Sequence, residues 1–369
     1  MSGKRLTIMQ LLPELEVGGV EQGTLEIAEA LVAAGHRALV VSAGGRMVAK
    51  LEALGAQHFT LPVGAKRFRT LGIIRPLRQL LLTQQVDLVH ARSRLPAWIG
   101  HFALRGIPAA HRPRWVTTVH GPYTANRYGR IMVSGERVIA ISEFIRDYLI
   151  NAWPGVAPER VRVIPRGVDP ARFPYGFLPA ADWQPPWTQE TGTPPHLLTL
   201  PGRLTRWKGQ EDFLQMLAQL VARGLPVHGL IVGGPHPRKQ DFERELHALA
   251  AKLGIASRVS FLGQRQDMRE ILSLSSLVYS LTREPEAFGR TTLEALSLGR
   301  PVVGYDHGGT GEILRTVFPA GLVRAGDIEG AVDRSAALLA APPIIPKAHP
   351  FTLERLQRDT LAVYEDLCR

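Results

Sequence analysis

A chain of 369 residues with a mean hydropathy of −0.01 and 45% hydrophobic residues describes a soluble globular protein, long enough for two domains. No apolar run approaches the ~18 residues of a membrane-spanning helix, and a single cysteine, Cys368, excludes an internal disulfide and a cysteine metal cage. The net charge of +11 is lopsided: residues 1–175 hold 23 Lys/Arg against 12 Asp/Glu, whereas residues 176–369 hold 21 of each. A one-signed half implies an anionic partner, either a membrane surface, a phosphorylated acceptor or nucleic acid; a solvated basic face is the bland alternative. The lone cysteine fits a reducing cytoplasm.

In chain order, Met1–Pro13 is too short and polar for a secretory signal and reads as the first strand, Leu6–Leu12. Gly18-Gly19 precede an amphipathic helix over Val20–Ala34, which Gly35 ends before a strand at Arg37–Ser42. Glycines at a helix N-terminus let backbone N–H groups approach a phosphate, although paired glycines more often only make a turn. Helices at Val48–Leu54, Leu71–Leu82 and Pro96–Leu104 alternate with strands at His58–Leu61, Asp87–Ala91 and Trp115–Val119, the last running into His120-Gly121. A strand at Arg137–Ile141 leads to Ser142, a good N-cap for a helix over Glu143–Asn151, and Val161–Ile164 closes the series before Pro165-Arg166-Gly167-Val168-Asp169. Strands alternating with helices predict a parallel, doubly wound sheet.

Residues 174–196 contain Pro174, Pro179, Pro185, Pro186, Pro194 and Pro195, keep no helix or strand period, and read as a linker. A second β/α series follows over 197–345. Its strands are Leu197–Leu200, Gly229–Val232, Val259–Leu262, Leu277–Ser280, Pro301–Tyr305 and Gly321–Val323; its helices are Gly209–Arg223, Arg238–Leu253, Met268–Leu274, Thr291–Leu298 and Ile328–Ala340. A proline-rich crossing and a final helix over Thr352–Leu367 complete the C-terminal segment, 346–369.

Two stretches of the second series concentrate polar chemistry. Gly202-Arg203-Leu-Thr-Arg206-Trp-Lys208-Gly209 leads from a strand to a helix with three cations, which suit a diphosphate but lack the spacing of a P-loop. The stretch from Glu284 to Val303 reads as loop, short helix, tight stop and buried strand, with Glu286 in the loop and Glu294 on the helix. Carboxylates there suit a ligand with several hydroxyls, outside the carboxyl ends of the strands. The plain alternatives are a satisfied strand-end histidine for His120 and a surface helix residue for Glu294. His36, His58, His236 and His247 are scattered without ligand spacing.

Taken together, Gly18-Gly19, Val-His-Gly at 119–121, Ser142-Glu143, Ile-Pro-Arg-Gly-Val-Asp at 164–169, Gly-Arg-Leu-x-x-x-Lys-Gly at 202–209 and the Glu-x7-Glu of Glu286–Glu294 form an ordered set. In that order the chain resembles the retaining glycosyltransferases of family four, the group-one glycosyl transferases, over nearly its whole length. The resemblance implies an α/β GT-B fold: two doubly wound Rossmann-like domains facing across a cleft, with the C-terminal helix crossing back to the first. Domain 1–173 would take the acceptor and domain 197–345 the nucleotide sugar. Arg203 and Lys208 would hold the diphosphate, helped by backbone amides near Gly18 and Gly19. Glu294 would bind the ribose, Glu286 the transferred sugar beside Phe288 and Gly289, and His120 would face that sugar. Transfer would retain anomeric configuration, with the leaving phosphate taking the acceptor proton.

No Asp-x-Asp motif is present, so the expectation is an enzyme without cofactor or metal, charge being neutralised by Arg203 and Lys208. The expected acceptor is an anionic glycolipid or polysaccharide precursor, with the lipopolysaccharide core leading, reached from the cytoplasm at the inner face of the membrane. Competing readings are a sugar-nucleotide epimerase of the same fold and a nucleic-acid binder using 53–135; the latter lacks interleaved aromatics. Two residues depart from the family pattern: Arg166 stands where Asn is frequent, and Arg290 where an apolar residue is common.

Overall fold

The computed structural model describes residues 4–16, 18–65, 72–187, 196–234 and 241–369. His236 and the starts of the expected helices at Leu71 and Arg238 lie outside the described residues, as do residues 188–195 of the expected linker. The chain divides into two compact units, Met1–Gly167 with Leu353–Arg369, and Val168–Thr352.

The first unit is a seven-stranded, all-parallel sheet of β1 (Thr7–Leu11), β2 (Arg37–Ser42), β3 (Gln57–Thr60), β4 (Leu88–Ala91), β5 (Arg114–Val119), β6 (Arg137–Ala140) and β7 (Val161–Val163). Its spatial order is β3-β2-β1-β4-β5-β6-β7. β1 and β4 are buried along their whole length, as apolar strands must be when helices cover both faces. The helices are α1 (Gly19–Ala33), α2 (Val48–Ala53), α3 (Ile74–Thr83), α4 (Arg94–Arg105) and α5 (Glu143–Ala152). Ser142 caps α5, its hydroxyl accepting from the Ile145 N–H at 3.1 Å.

The second unit repeats the plan with six parallel strands: β8 (His196–Pro201), β9 (Val227–Val232), β10 (Val259–Phe261), β11 (Leu277–Ser280), β12 (Val302–Tyr305) and β13 (Leu322–Val323), ordered β10-β9-β8-β11-β12-β13. Its helices are α6 (Gln210–Ala222), α7 (Asp241–Lys252), α8 (Met268–Leu274), α9 (Arg290–Ser297), α10 (Gly308–Val317) and α11 (Ile328–Ala340). α10 was not expected. It opens Gly-Gly-Thr-Gly, a composition that signals a turn, and only Ile313, Leu314 and Val317 give it an apolar face.

The last helix, α12 (Leu353–Cys368), belongs to the first unit. Leu356, Thr360, Val363 and Tyr364 form its buried face against α1, and Gln357 Nε2 donates to the Glu26 carbonyl at 2.9 Å. Each of the larger apolar side chains so buried contributes roughly 1.5–3 kcal/mol, enough to hold the terminus on the sheet.

The units divide at Gly167/Val168, a few residues before the sequence-based boundary at Phe173, and again at Thr352/Leu353 rather than at 345/346. Val168 forms a parallel bridge with Thr352, so the outgoing and returning strands of chain run side by side there. Residues 174–187 hold no helix or strand, yet they are anchored to the second unit. Trp183 donates to Asp267 at 3.0 Å and packs with Trp187 on Leu230, Val232 and Ile271. Among the described residues no helix is long and apolar enough to cross a membrane.

Candidate functional site

In a doubly wound sheet, ligands bind beyond the carboxyl ends of the strands, where the strand order reverses. In the second unit that reversal lies between β8 and β11, and the loops leaving these strands are Gly202–Gly209 and Leu281–Gly289. Topology therefore brings both candidate stretches to one edge. Gly209 caps α6 at φ 77°, and a Cβ there would strike the Leu281 carbonyl, so only glycine lets the two loops meet.

Lys208 and Glu286 are ion-paired, with side chains 18% and 13% exposed, and the ammonium lies 4.4 Å above the Trp207 ring. Arg206, the neighbouring cation, is engaged elsewhere: it donates to Glu245 at 2.7 and 2.8 Å and stacks over Phe242. Arg203 is exposed, and no carboxylate among the described residues pairs with it; its carbonyl accepts from Gln210 Nε2 at 3.0 Å. Three adjacent cations thus have three different surroundings.

Glu294, 12% exposed on α9, accepts from Arg290 Nε at 3.2 Å. Gly289 caps α9 at φ 93°, and a Cβ on it would come 2.7 Å from Thr310 Oγ1. Phe288 is buried, edge-on to Phe351 at 5.9 Å. The first turn of α10 closes on this segment: the Gly309 N–H donates to the Glu286 carbonyl at 2.8 Å, and a Cβ on Gly309 would overlap the Phe288 backbone. Glu286, Phe288 and Gly289 are thereby fixed by Gly308-Gly309, a support that the local sequence did not announce.

A second support was also missed. Asp212, buried on α6, accepts from Arg283 Nη2 at 2.5 Å and from the Tyr305 hydroxyl at 2.8 Å, while Arg283 also pairs with Glu211 at 2.8 Å. The Asp212 carboxylate raises the Arg283 pKa, and burial followed by the same carboxylate raises that of Tyr305. This network ties the start of α6 to the loop after β11 and to β12, and so sets the spacing of Lys208 and Glu286.

In the first unit the order reverses between β1 and β4. Gly18 and Gly19 lie at the N-terminus of α1, which follows β1, and Arg92 follows β4. Gly18 has extended backbone, φ 175°, and a Cβ on Gly19 would meet nothing within 4 Å. A Cβ on Gly18 would collide with the Glu21 carboxylate, so the open backbone at this helix start is that of Gly19. His120 lies at the end of β5. Its Nδ1 is 2.8 Å from Arg166 Nη2, and its buried Nε2 has no partner among the described residues. Burial, then Arg166, Arg92 and His90, hold the His120 pKa well below the usual imidazole range. His90 is likewise kept neutral, with Nδ1 2.6 Å from the Tyr364 hydroxyl and Nε2 2.6 Å from Thr118 Oγ1.

The first unit also has a pocket of about 340 Å³ away from these residues, whose lining includes Trp98, His101, Arg127, Arg130, Trp153 and Arg160.

Two family models account for most of the sequence: Glycosyltransferase Family 4 matches residues 17–172, and Glycosyl transferases group 1 matches residues 186–351. The chain belongs to the family-four, group-one glycosyltransferases. Among curated relatives, the D-inositol 3-phosphate glycosyltransferase of Rhodococcus opacus is 28% identical over 62% of this chain and 54% of its own length. The lipopolysaccharide core biosynthesis mannosyltransferase LpsB of Rhizobium meliloti is 33% identical over 46% of this chain and 51% of its own. The aligned part thus spans about half the length of these relatives.

Two solved structures extend the match to the whole fold. A glycosyltransferase from Rickettsia africae superposes with a TM-score of 0.82 at 23% identity, covering 99% of each chain. Anabaena HepE, solved in complex with UDP and glucose, gives 0.75 at 22% identity over 98% of this chain and 100% of its own. At these identities the likeness is one of fold, GT-B with two Rossmann-like domains.

Proposed function

We propose that this family-four glycosyltransferase moves a sugar from a nucleoside-diphosphate sugar to an anionic glycolipid or polysaccharide precursor, the lipopolysaccharide core being the favoured acceptor. The observation that carries this reading is the edge of the second unit where Lys208, Arg203, Glu286 and Glu294 project from the two loops and the helix at the reversal of strand order. Cations there suit a leaving diphosphate that gains negative charge, and carboxylates suit ribose and sugar hydroxyls. Arg203 and Lys208 hold the diphosphate, Glu294 the ribose, and Glu286 with Phe288 and Gly289 the sugar. Gly18 and Gly19 offer backbone N–H groups to the phosphates, and His120 addresses the sugar. The UDP complex of the fold relative and the name of the LpsB relative support a nucleotide sugar and a lipopolysaccharide acceptor respectively.

Transfer proceeds with retention. The leaving phosphate accepts the acceptor's proton, the C–O bond to phosphate breaks, and the acceptor oxygen bonds the anomeric carbon on the same face. Lys208 and Arg203 compensate the charge, so no metal is required. Activity that survives a chelator supports this; loss on chelation with recovery on adding Mn²⁺ contradicts it.

The acceptor side is the basic first unit. Its pocket, with Arg127, Arg130 and Arg160 beside Trp98 and Trp153, suits an anionic amphiphile, and the chain works at the inner face of the cytoplasmic membrane. Co-sedimentation with anionic vesicles at low salt tests that location, and absence of binding refutes it. A thermal-shift screen over UDP-, GDP- and ADP-sugars, followed by NMR of the product's anomeric configuration, tests the reaction. Release of free or epimerised sugar from the nucleotide sugar alone would move the assignment to an epimerase.

A further inference from the structure

We propose that Arg166 is a positioning residue that fixes His120 as a neutral imidazole with its proton on Nε2, so that His120 offers a hydrogen-bond donor and cannot act as a base there. Arg166 is buried on the loop after β7, and its Nη2 lies 2.8 Å from His120 Nδ1. A guanidinium has only donors and does not deprotonate in proteins, so Nδ1 must be the acceptor. The ring's proton is then on Nε2. A second proton on the ring would set N–H against N–H across this contact.

Among the described residues, the charged groups that act on the ring, Arg166 and Arg92, oppose that second proton. Arg92, buried after β4, donates from Nε to Gln10 Oε1 at 2.7 Å, and His90 stands on the same strand. Arg92 and Arg166 both act on His120 and on His90 in the same direction, as does burial. Tyr123, three residues beyond His120, is kept protonated by its own burial and brings no negative charge. Glu26 on α1 acts on Arg92.

The fold makes room for the guanidinium. Gly23 is in the body of α1 with ordinary backbone, and a Cβ on it would collide with Arg166 Nη1. The outcome is a buried Nε2–H with no acceptor among the described residues. Such an orphaned donor is costly, and it marks where a ligand oxygen belongs. That the oxygen is a hydroxyl of the transferred sugar or an oxygen of its phosphate rests on the proposed function; the tautomer does not.

The test is ¹⁵N-histidine NMR on the full chain, with His120→Gln used to assign the His120 signals among the 12 histidines. The unsubstituted protein is expected to give a pyrrole-like Nε2 and a pyridine-like Nδ1, unchanged from about pH 5 to about pH 8, where an ordinary histidine titrates. Arg166→Met should give mixed tautomers and a titration inside that window, and Arg166→Lys, which keeps a donor, should restore the original pattern. Gly23→Ala reads the same point without touching Arg166: alanine is the better helix former, so the helix persists while the guanidinium is displaced. In sugar transfer, Arg166→Met should lower kcat about tenfold, with a new ionisation on the acid limb of the pH profile, and Arg166→Lys should recover most of it. A pyrrole-like Nδ1 in the unsubstituted protein, or a His120 signal unaltered in both Arg166→Met and Gly23→Ala, overturns the proposal. Failure of the unsubstituted chain to transfer sugar would instead overturn the proposed function, because the NMR result needs no substrate.

Discussion

The two units turn the same sheet plan to opposite electrostatic ends. At the reversal point of the second unit, every named charge but Arg203 has an opposite partner among the described residues: Lys208 with Glu286, Arg290 with Glu294, Arg283 with Asp212. At that of the first, two buried arginines, Arg92 and Arg166, flank two histidines that stay neutral. A paired site can exchange its internal partners for the hydroxyls and phosphates of a ligand at little net cost. A neutral imidazole beside buried arginines offers a hydrogen-bond donor without competing for a proton. In the proposed reaction the first character would hold the nucleotide, and the second would donate to the transferred sugar or its phosphate.

Substitutions that spoil one character and spare the other test that contrast. The largest effect is expected at Lys208. Lys208→Met removes the cation proposed to compensate the leaving phosphate, and transfer should fall about 10²–10³-fold in steady-state assays while the circular dichroism spectrum is preserved. A Lys208→Met enzyme with near-normal kcat would break the account of the paired site.

Next is the network beneath it. Asp212→Ala orphans the Tyr305 hydroxyl and frees Arg283, whose half-exposed guanidinium regains water. The expected loss is about 2 kcal/mol in denaturant unfolding, below that of a fully buried pair. An unchanged midpoint would mean that the network positions nothing.

The first unit should announce itself through pH. His90 and His120 have folded pKa values lowered well below the ordinary 6.5, so between the two values the unfolded chain binds more protons than the folded one. Their contribution is complete above about pH 6.5 and is lost as pH falls towards the folded values, with a slope of at most about 1.4 kcal/mol per pH unit for each group. Unfolding followed from neutral to acid pH should show this slope, and His120→Gln should reduce it. A slope of opposite sign would mean that the imidazoles are charged in the folded protein.

The smallest effect concerns neither site. Ser142→Ala removes the cap of α5 and should cost about 1 kcal/mol with transfer unchanged.

Much of this was legible in the residues because it is local. Short apolar runs between helical periods predict two parallel sheets, and Ser142 announces its helix by its position alone. Glu286, Glu294, Arg203 and Lys208 stand out as candidates because each family stretch is contiguous and follows a strand. What escaped is non-local or disguised. Arg166 meets His120 across 46 residues, and Asp212 meets Arg283 across 71 and Tyr305 across 93, distances over which no local pattern informs. α10 hid behind Gly-Gly-Thr-Gly, whose glycines serve the packing on Glu286 and Phe288. Arg206 reads like its neighbouring cations Arg203 and Lys208 but is committed to Glu245.

The central claim, that the second unit holds a nucleoside diphosphate through Lys208 and Glu294, is tested most directly by calorimetric titration of the full chain with UDP, GDP and ADP. One of these should bind the unsubstituted protein, and Lys208→Met and Glu294→Gln should each weaken that binding at least about tenfold, the first through the diphosphate and the second through the ribose. Equal affinity in all three proteins, or no binding of any of the three nucleotides, would contradict it.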